Sequence, residues 1–102
     1  MFDMMRRILL GFMELHILYH ASKEDISGVF IMEELRRHGY KVSPGTIYPL
    51  LHKMEDMDLL TSRWDVKNGR RVKLYRITSK GMEFLEEGRK KVRELSQEIL
   101  GD

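Results

Sequence analysis

The chain has 102 residues, enough for one domain that buries roughly 65% of its unfolded surface. Of these, 33% are charged, but Lys and Arg exceed Asp and Glu by only 18 to 16, so a nucleic-acid partner must be argued from where the charges lie. Cysteine is absent, which excludes disulfides and thiolate metal sites. The sequence lacks an apolar run of ~18 residues, a phosphate-cradling glycine loop and a nucleophile set beside a base, so the expectation is a soluble, cytoplasmic, non-enzymatic protein without a cofactor.

The first helical pattern runs from about Met5 to Ala21. Ile8, Leu9, Leu10, Phe12, Met13, Leu15, Ile17 and Leu18 cover most of its circumference, and a helix apolar nearly all round needs cover on two sides. In so short a chain the second cover is expected from another subunit. Arg6 and Arg7 oppose the helix dipole and read as a solvated basic end. His16 and His20, four apart, have the spacing to reach one metal ion. Without cysteine or a convergent carboxylate they read instead as surface or interface histidines.

Ser22 to Asp25 is a polar break. A second helix is expected from Gly28 to His38, capped by Ser27, with Ile31, Leu35 and either Phe30 or Met32 turned inward. Gly39 supplies the left-handed stop, and Tyr40 folds back on the helix end.

The third helix organises the rest. Ser43 is a good N-cap and Pro44 suits the first helical position. Ile47, Leu50, Leu51 and Met54 share the buried face. The opposite face carries Gly45, Tyr48, Pro49, His52 and Lys53, with Thr46 at its edge and no acid before Glu55. Pro49 falls inside a helix that starts at Ser43, or in the first turn of one that starts at Thr46; the earlier start with a distorted first turn is preferred. Two short helices joined by a glycine-containing turn make a helix-turn-helix, and this outward face suits a recognition helix.

Leu60 to Val66 and Arg71 to Ile77 alternate around Asn68-Gly69, a strong hairpin signal. A two-residue turn pairs Val66 with Arg71, Trp64 with Lys73, Ser62 with Tyr75 and Leu60 with Ile77. Leu60, Trp64, Tyr75 and Ile77 then share a face expected to pack inward, with Lys73 over the Trp64 ring. Thr61, Arg63 and Arg76 lie on the other face. Lys67, Arg70, Arg71 and Lys73 crowd the tip, opposed only by Asp65, as in a wing that touches a phosphate backbone.

A last helix, capped by Thr78 or Ser79, should run to about Leu100. Leu85, Gly88, Val92, Leu95 and Ile99 alternate by three and four, the seam of a short coiled coil.

The string Ser43-Pro44-Gly45-Thr46-Ile47-Tyr48-Pro49, followed by Leu50-Leu51-His52-Lys53-Met54-Glu55, Ser62-Arg63-Trp64 and Lys73-Leu74-Tyr75-Arg76-Ile77-Thr78, resembles the PadR family of transcriptional regulators. The likeness extends from about Leu9 to Leu85. It implies a winged helix-turn-helix repressor that dimerises through its C-terminal helix and releases DNA when a small molecule binds. It also implies that Thr46, Tyr48 and Lys53 face the major groove, with the hairpin tip along the backbone. The chain departs from the family where a His-Gly-Tyr motif usually opens the second helix and Ser27-Gly28-Val29 stands instead. Its last helix has no aromatic residue after Phe84, which argues against flat aromatic ligands held on that seam.

The sequence therefore predicts an α+β, mainly α fold: a winged helix-turn-helix over residues 1–78 and a dimerisation helix over 79–102. DNA contacts are expected from Ser43, Gly45, Thr46, Tyr48, Pro49, His52 and Lys53, and from Lys67, Asn68, Arg70, Arg71 and Lys73 of the wing. Dimer contacts are expected from Leu9, Phe12, Met13, Leu85, Gly88, Val92, Leu95 and Ile99. The expected partners are a palindromic double-stranded operator, a second copy of the chain and a small-molecule effector. The rival expectation is a winged-helix module that binds protein and not DNA.

Overall fold

A computed structural model describes residues 2–101. Four helices and one hairpin follow in the order α1 (Phe2–Lys23), α2 (Gly28–Arg37), α3 (Pro44–Asp56), β1 (Leu60–Lys67), β2 (Arg70–Ile77) and α4 (Ser79–Ile99). α1 begins a turn earlier than its apolar pattern, because Met4 and Met5 continue its exposed apolar side. On its inner side Met13, Ile17, Leu18 and Ala21 enter a core with Ile26, Ile31, Leu35, Ile47, Leu51, Met54, Leu59, Leu60, Tyr75 and Leu85.

Local chemistry explains the boundaries. The Ser27 hydroxyl accepts from the Phe30 amide at 3.1 Å and starts α2. Gly39 has φ +91°, and the Tyr40 amide donates back to the Leu35 carbonyl at 3.0 Å, closing the helix as expected. Phe30 and Met32 both lie partly buried beside Ile31 and Leu35, so the inward stripe takes both.

α3 begins at Pro44, which settles the start in favour of Ser43. The Ser43 carbonyl, not its hydroxyl, makes the cap by accepting from the Thr46 and Ile47 amides, both at 3.0 Å. Pro49 therefore sits inside the helix, opposite the core face, where the Gly45 carbonyl it leaves without an intrahelical donor is on the solvent side.

The hairpin register is the one the turn predicts: Leu60 pairs with Ile77, Ser62 with Tyr75, Trp64 with Lys73 and Val66 with Arg71. Asn68 (φ 54°) and Gly69 (φ 75°) both take the left-handed conformation that a tight two-residue turn requires. Two anchors hold the hairpin to the helices. Ile26 exchanges backbone hydrogen bonds with Tyr75 at 2.8 and 2.9 Å. Asp25 accepts from Arg63 and, at 2.8 Å, from Arg76 Nε.

One sequence expectation fails here. Trp64 lies on the predicted face but is 58% exposed, because the core beneath that face ends at Ser62 and the wing projects beyond it. The cation closest to its ring is the Arg71 guanidinium, 4.4 Å from the centroid, with Lys73 Nζ farther away at 5.9 Å.

α4 is capped by the Thr78 hydroxyl, which accepts from the Gly81 amide at 2.9 Å. Its first half packs on α1: Leu85 is buried, and a β-carbon at Gly88 would come within 2.6 Å of Leu15 Cδ2. Its second half leaves the body, with Val92, Leu95 and Ile99 exposed.

Candidate nucleic-acid interface

The buried side of α3 consists of Ile47, Leu50, Leu51 and Met54, and this packing turns the opposite side to solvent. Ser43, Gly45, Tyr48, Pro49, His52 and Lys53 are exposed, and Thr46 is half-buried at the edge. The Tyr48 ring lies across the start of α2, where a β-carbon at Gly28 would come within 2.4 Å of its Cε1. A side chain at this position would push that ring aside, which gives Gly28 a role that the missing His and Tyr of the usual motif do not share.

The wing stands beside this helix. Tyr48, Pro49 and His52 of α3, Gly28 and Val29 of α2, and Trp64, Lys67, Arg71, Lys73 and Tyr75 of the wing enclose a cleft of about 1130 Å³. The expected cations divide into two groups. Lys53 Nζ lies 4.0 Å from Glu14 of α1, and Lys73 Nζ lies 3.5 Å from Glu55, which also accepts from Ser62. Among the described residues, Lys67, Arg70 and Arg71 have no acidic partner, and Asn68 is exposed at the turn between them. His52 faces Asp56 at 3.6 Å.

Asp25 was not identified from the sequence. Its carboxyl is held below the usual carboxylate range by the hydrogen bonds from Arg76 and Arg63. Arg63 and Arg76 are diagonal neighbours on one face of the hairpin, where Asp65 of β1 approaches Arg63 at 4.0 Å while Asp25 serves both arginines. Two arginines on one hairpin face call for an acid nearby, but they do not say which one.

The expected dimer residues also divide. Met13 is 5% exposed and Leu85 3%, so both are occupied in the chain's own core. Leu9, Phe12, Val92, Leu95 and Ile99 remain exposed, Ile99 at 70%. Between α1, the end of α2 and α4 runs a second cleft of about 930 Å³. The aromatic residues lining it come from α1 and the α2 end, Phe12, His16, Tyr19, His20, His38 and Tyr40, and not from α4.

His16 and His20 look to different partners. The His16 ring sits 4.9 Å from that of His38, and His20 Nε2 lies 3.5 Å from Glu34. Burial, followed by the His38 and His20 charges, pushes the His16 pKa down. Among the described residues, no three ligating side chains converge on a point that would hold a metal ion, and no helix is long and apolar enough to cross a membrane.

Two short helices joined by a turn and followed by a basic antiparallel hairpin define a winged helix-turn-helix fold. Residues 17–87 match the transcriptional regulator PadR-like family. The chain is 44% identical over 97 residues to the transcriptional regulator Rv3488 of Mycobacterium tuberculosis, covering 95% of this chain and 91% of that one. It superposes with a TM-score of 0.85 on a PadR-like transcriptional regulator from Bacillus cereus, at 35% identity, covering 93% and 94% of the two chains. A PadR-like transcription factor from Bacteroides fragilis superposes at 0.81, with 29% identity and 97% coverage of each chain. The chain belongs to the PadR-like family of transcriptional regulators.

Proposed function

We propose that this regulator is a repressor that binds a palindromic DNA operator as a homodimer in the cytoplasm. The observation that supports this reading is the placement of three unpaired cations, Lys67, Arg70 and Arg71, on a wing tip beside the acid-poor outer face of α3. In this reading α3 enters a major groove, where Thr46 and Lys53 meet base edges and Ser43, Gly45 and Tyr48 meet the backbone. The wing fixes register through phosphates. Lys53 exchanges Glu14 for DNA on binding, at little cost because the pair is long and exposed.

The homodimer is supported by the unpartnered apolar strip of Val92, Leu95 and Ile99, continued by Leu9 and Phe12 of α1. Such contiguous exposed apolar surface marks an interaction site. In this reading residues 1–78 bind DNA and 79–102 pair the subunits, with half-sites about one helical turn apart. A small-molecule effector would occupy the aromatic-lined cleft between α1 and α4, next to that strip.

Selection of bound fragments from sheared host genomic DNA at moderate salt, followed by sequencing, tests the reading. The expected result is enrichment of a palindrome upstream of regulated genes. A purified chain that enriches nothing and leaves random duplex unbound would overturn it in favour of a protein-binding winged helix.

A further inference from the structure

Trp64, the chain's single tryptophan, is left in the open by a fold that buries the other end of the same sheet face. It is not free to move as an isolated surface residue would be. Arg71, its diagonal neighbour on the other strand, lays its guanidinium over the ring at 4.4 Å, and Lys73, directly opposite, approaches at 5.9 Å. The ring forms one wall of the cleft whose opposite wall is Tyr48, Pro49 and His52 of the recognition helix. Two aromatic side chains therefore face a channel whose wing side is rimmed by Lys67 and Arg71.

We infer that this channel holds the sugar–phosphate backbone of one strand of bound duplex DNA, with Trp64 packed on deoxyribose and holding Arg71 toward the adjacent phosphate. The inference rests on the DNA-binding reading and adds a residue that neither charge nor groove position would select. An occupant of this kind matches the channel on both counts. Its sugars are apolar enough to cover an indole, and its phosphates are anionic where the wing is basic. A buried protein side chain would meet only the first condition. Of the two acids lining the channel, Glu24 and Asp25, Asp25 is occupied by Arg63 and Arg76. Stacking also restricts Arg71 before encounter, so less side-chain freedom is lost when the phosphate arrives.

Because no other tryptophan is present, Trp64 emission reports on the site directly. Acrylamide quenching is measured on the wild-type chain alone and then saturated with a random 24-base-pair duplex, with binding followed independently by anisotropy of a labelled strand. The expected result is a quenching constant at least halved in the complex. Trp64→Leu is expected to bind about tenfold more weakly, while keeping the wild-type dependence on salt, and Trp64→Phe to recover most of the loss. Arg71→Ala, in contrast, should lower the log–log salt slope by about 2 for a dimer.

Duplex binding by anisotropy with unchanged quenching of Trp64 overturns the inference and leaves the DNA-binding reading intact. No duplex binding at any salt overturns both. If Trp64→Leu fails a thermal-melt check for folding, the wild-type quenching result decides alone.

Discussion

The base and the tip of the wing share one register, one alternation and one turn, yet they have opposite fates. At the base, Leu60 and Tyr75 are buried, Ile26 pairs with the strand edge, and Asp25 ties down two arginines. At the tip, on the same inner face, Trp64 and Val66 are exposed and the cations have few partners. α4 repeats the division: Leu85 is buried and Gly88 meets Leu15 of α1, whereas Val92, Leu95 and Ile99 stay exposed. A periodic pattern states which side a residue faces. It does not state whether anything stands opposite.

The sharpest break of this comparison is a pair of truncations. Leu60→Ala removes a fully buried side chain and should cost about 2–5 kcal/mol, with a melting temperature lowered by 10 °C or more. Val66→Ala at the tip should change stability by less than about 0.5 kcal/mol. Equal losses in thermal melts would mean that the tip is packed after all.

The same logic applies to α4. Leu95→Asp with Ile99→Asp places charges on the free half of the helix and should convert a dimer to a monomer by light scattering, with helical content kept. Persistence of the dimer would move the subunit contact elsewhere.

Asp25→Ala should lower the melting temperature by roughly 5–10 °C through loss of two charge-assisted hydrogen bonds. The pH dependence supplies a second check. The Asp25 pKa is depressed in the folded chain, so its contribution is present above the ordinary carboxylate pKa and is lost as pH falls through the folded value. Asp25→Asn should therefore flatten the acid limb of the stability curve.

His16 gives the smallest effect. Its folded pKa is lowered, so the unfolded chain takes up the proton first and stability declines as pH falls below about 6.5. His16→Gln should remove that decline, and a decline of unchanged slope would mean that His16 does not carry it.

Much of the fold was legible because local chemistry decided it. The Ser27 cap, the Gly39 stop, the Asn68-Gly69 turn and the hairpin register each depend on residues close in sequence. α3 was legible because its apolar face recurs without a break from Ile47 to Met54. What escaped depends on distance. Asp25 meets its partners 38 and 51 residues away, and no periodicity encodes such a pair. Trp64 escaped because alternation gives side and not depth. The histidines and tyrosines lining the α1–α4 cleft are not legible from α4, because His16, Tyr19 and Tyr40 lie on two other segments. Lys53 and Lys73 stand beside the tip cations among the DNA contacts the sequence predicts, but each has an acid within 4.0 Å. The electrostatic weight of the proposed interface thus shifts outward along the wing.

That shift gives the most direct test. With all four cations Lys53, Arg70, Arg71 and Lys73 engaged in both subunits, the log–log slope of affinity against salt would be about −7. With only Lys67, Arg70 and Arg71 engaged it would be about −5. The measurement is the affinity for random duplex across a salt series, for the wild-type chain and for Arg70→Ala with Arg71→Ala. The account expects a slope near −5, falling to about −2 in the double variant. A slope near zero, or one that the double substitution leaves unchanged, would contradict the claim that the wing tip holds DNA.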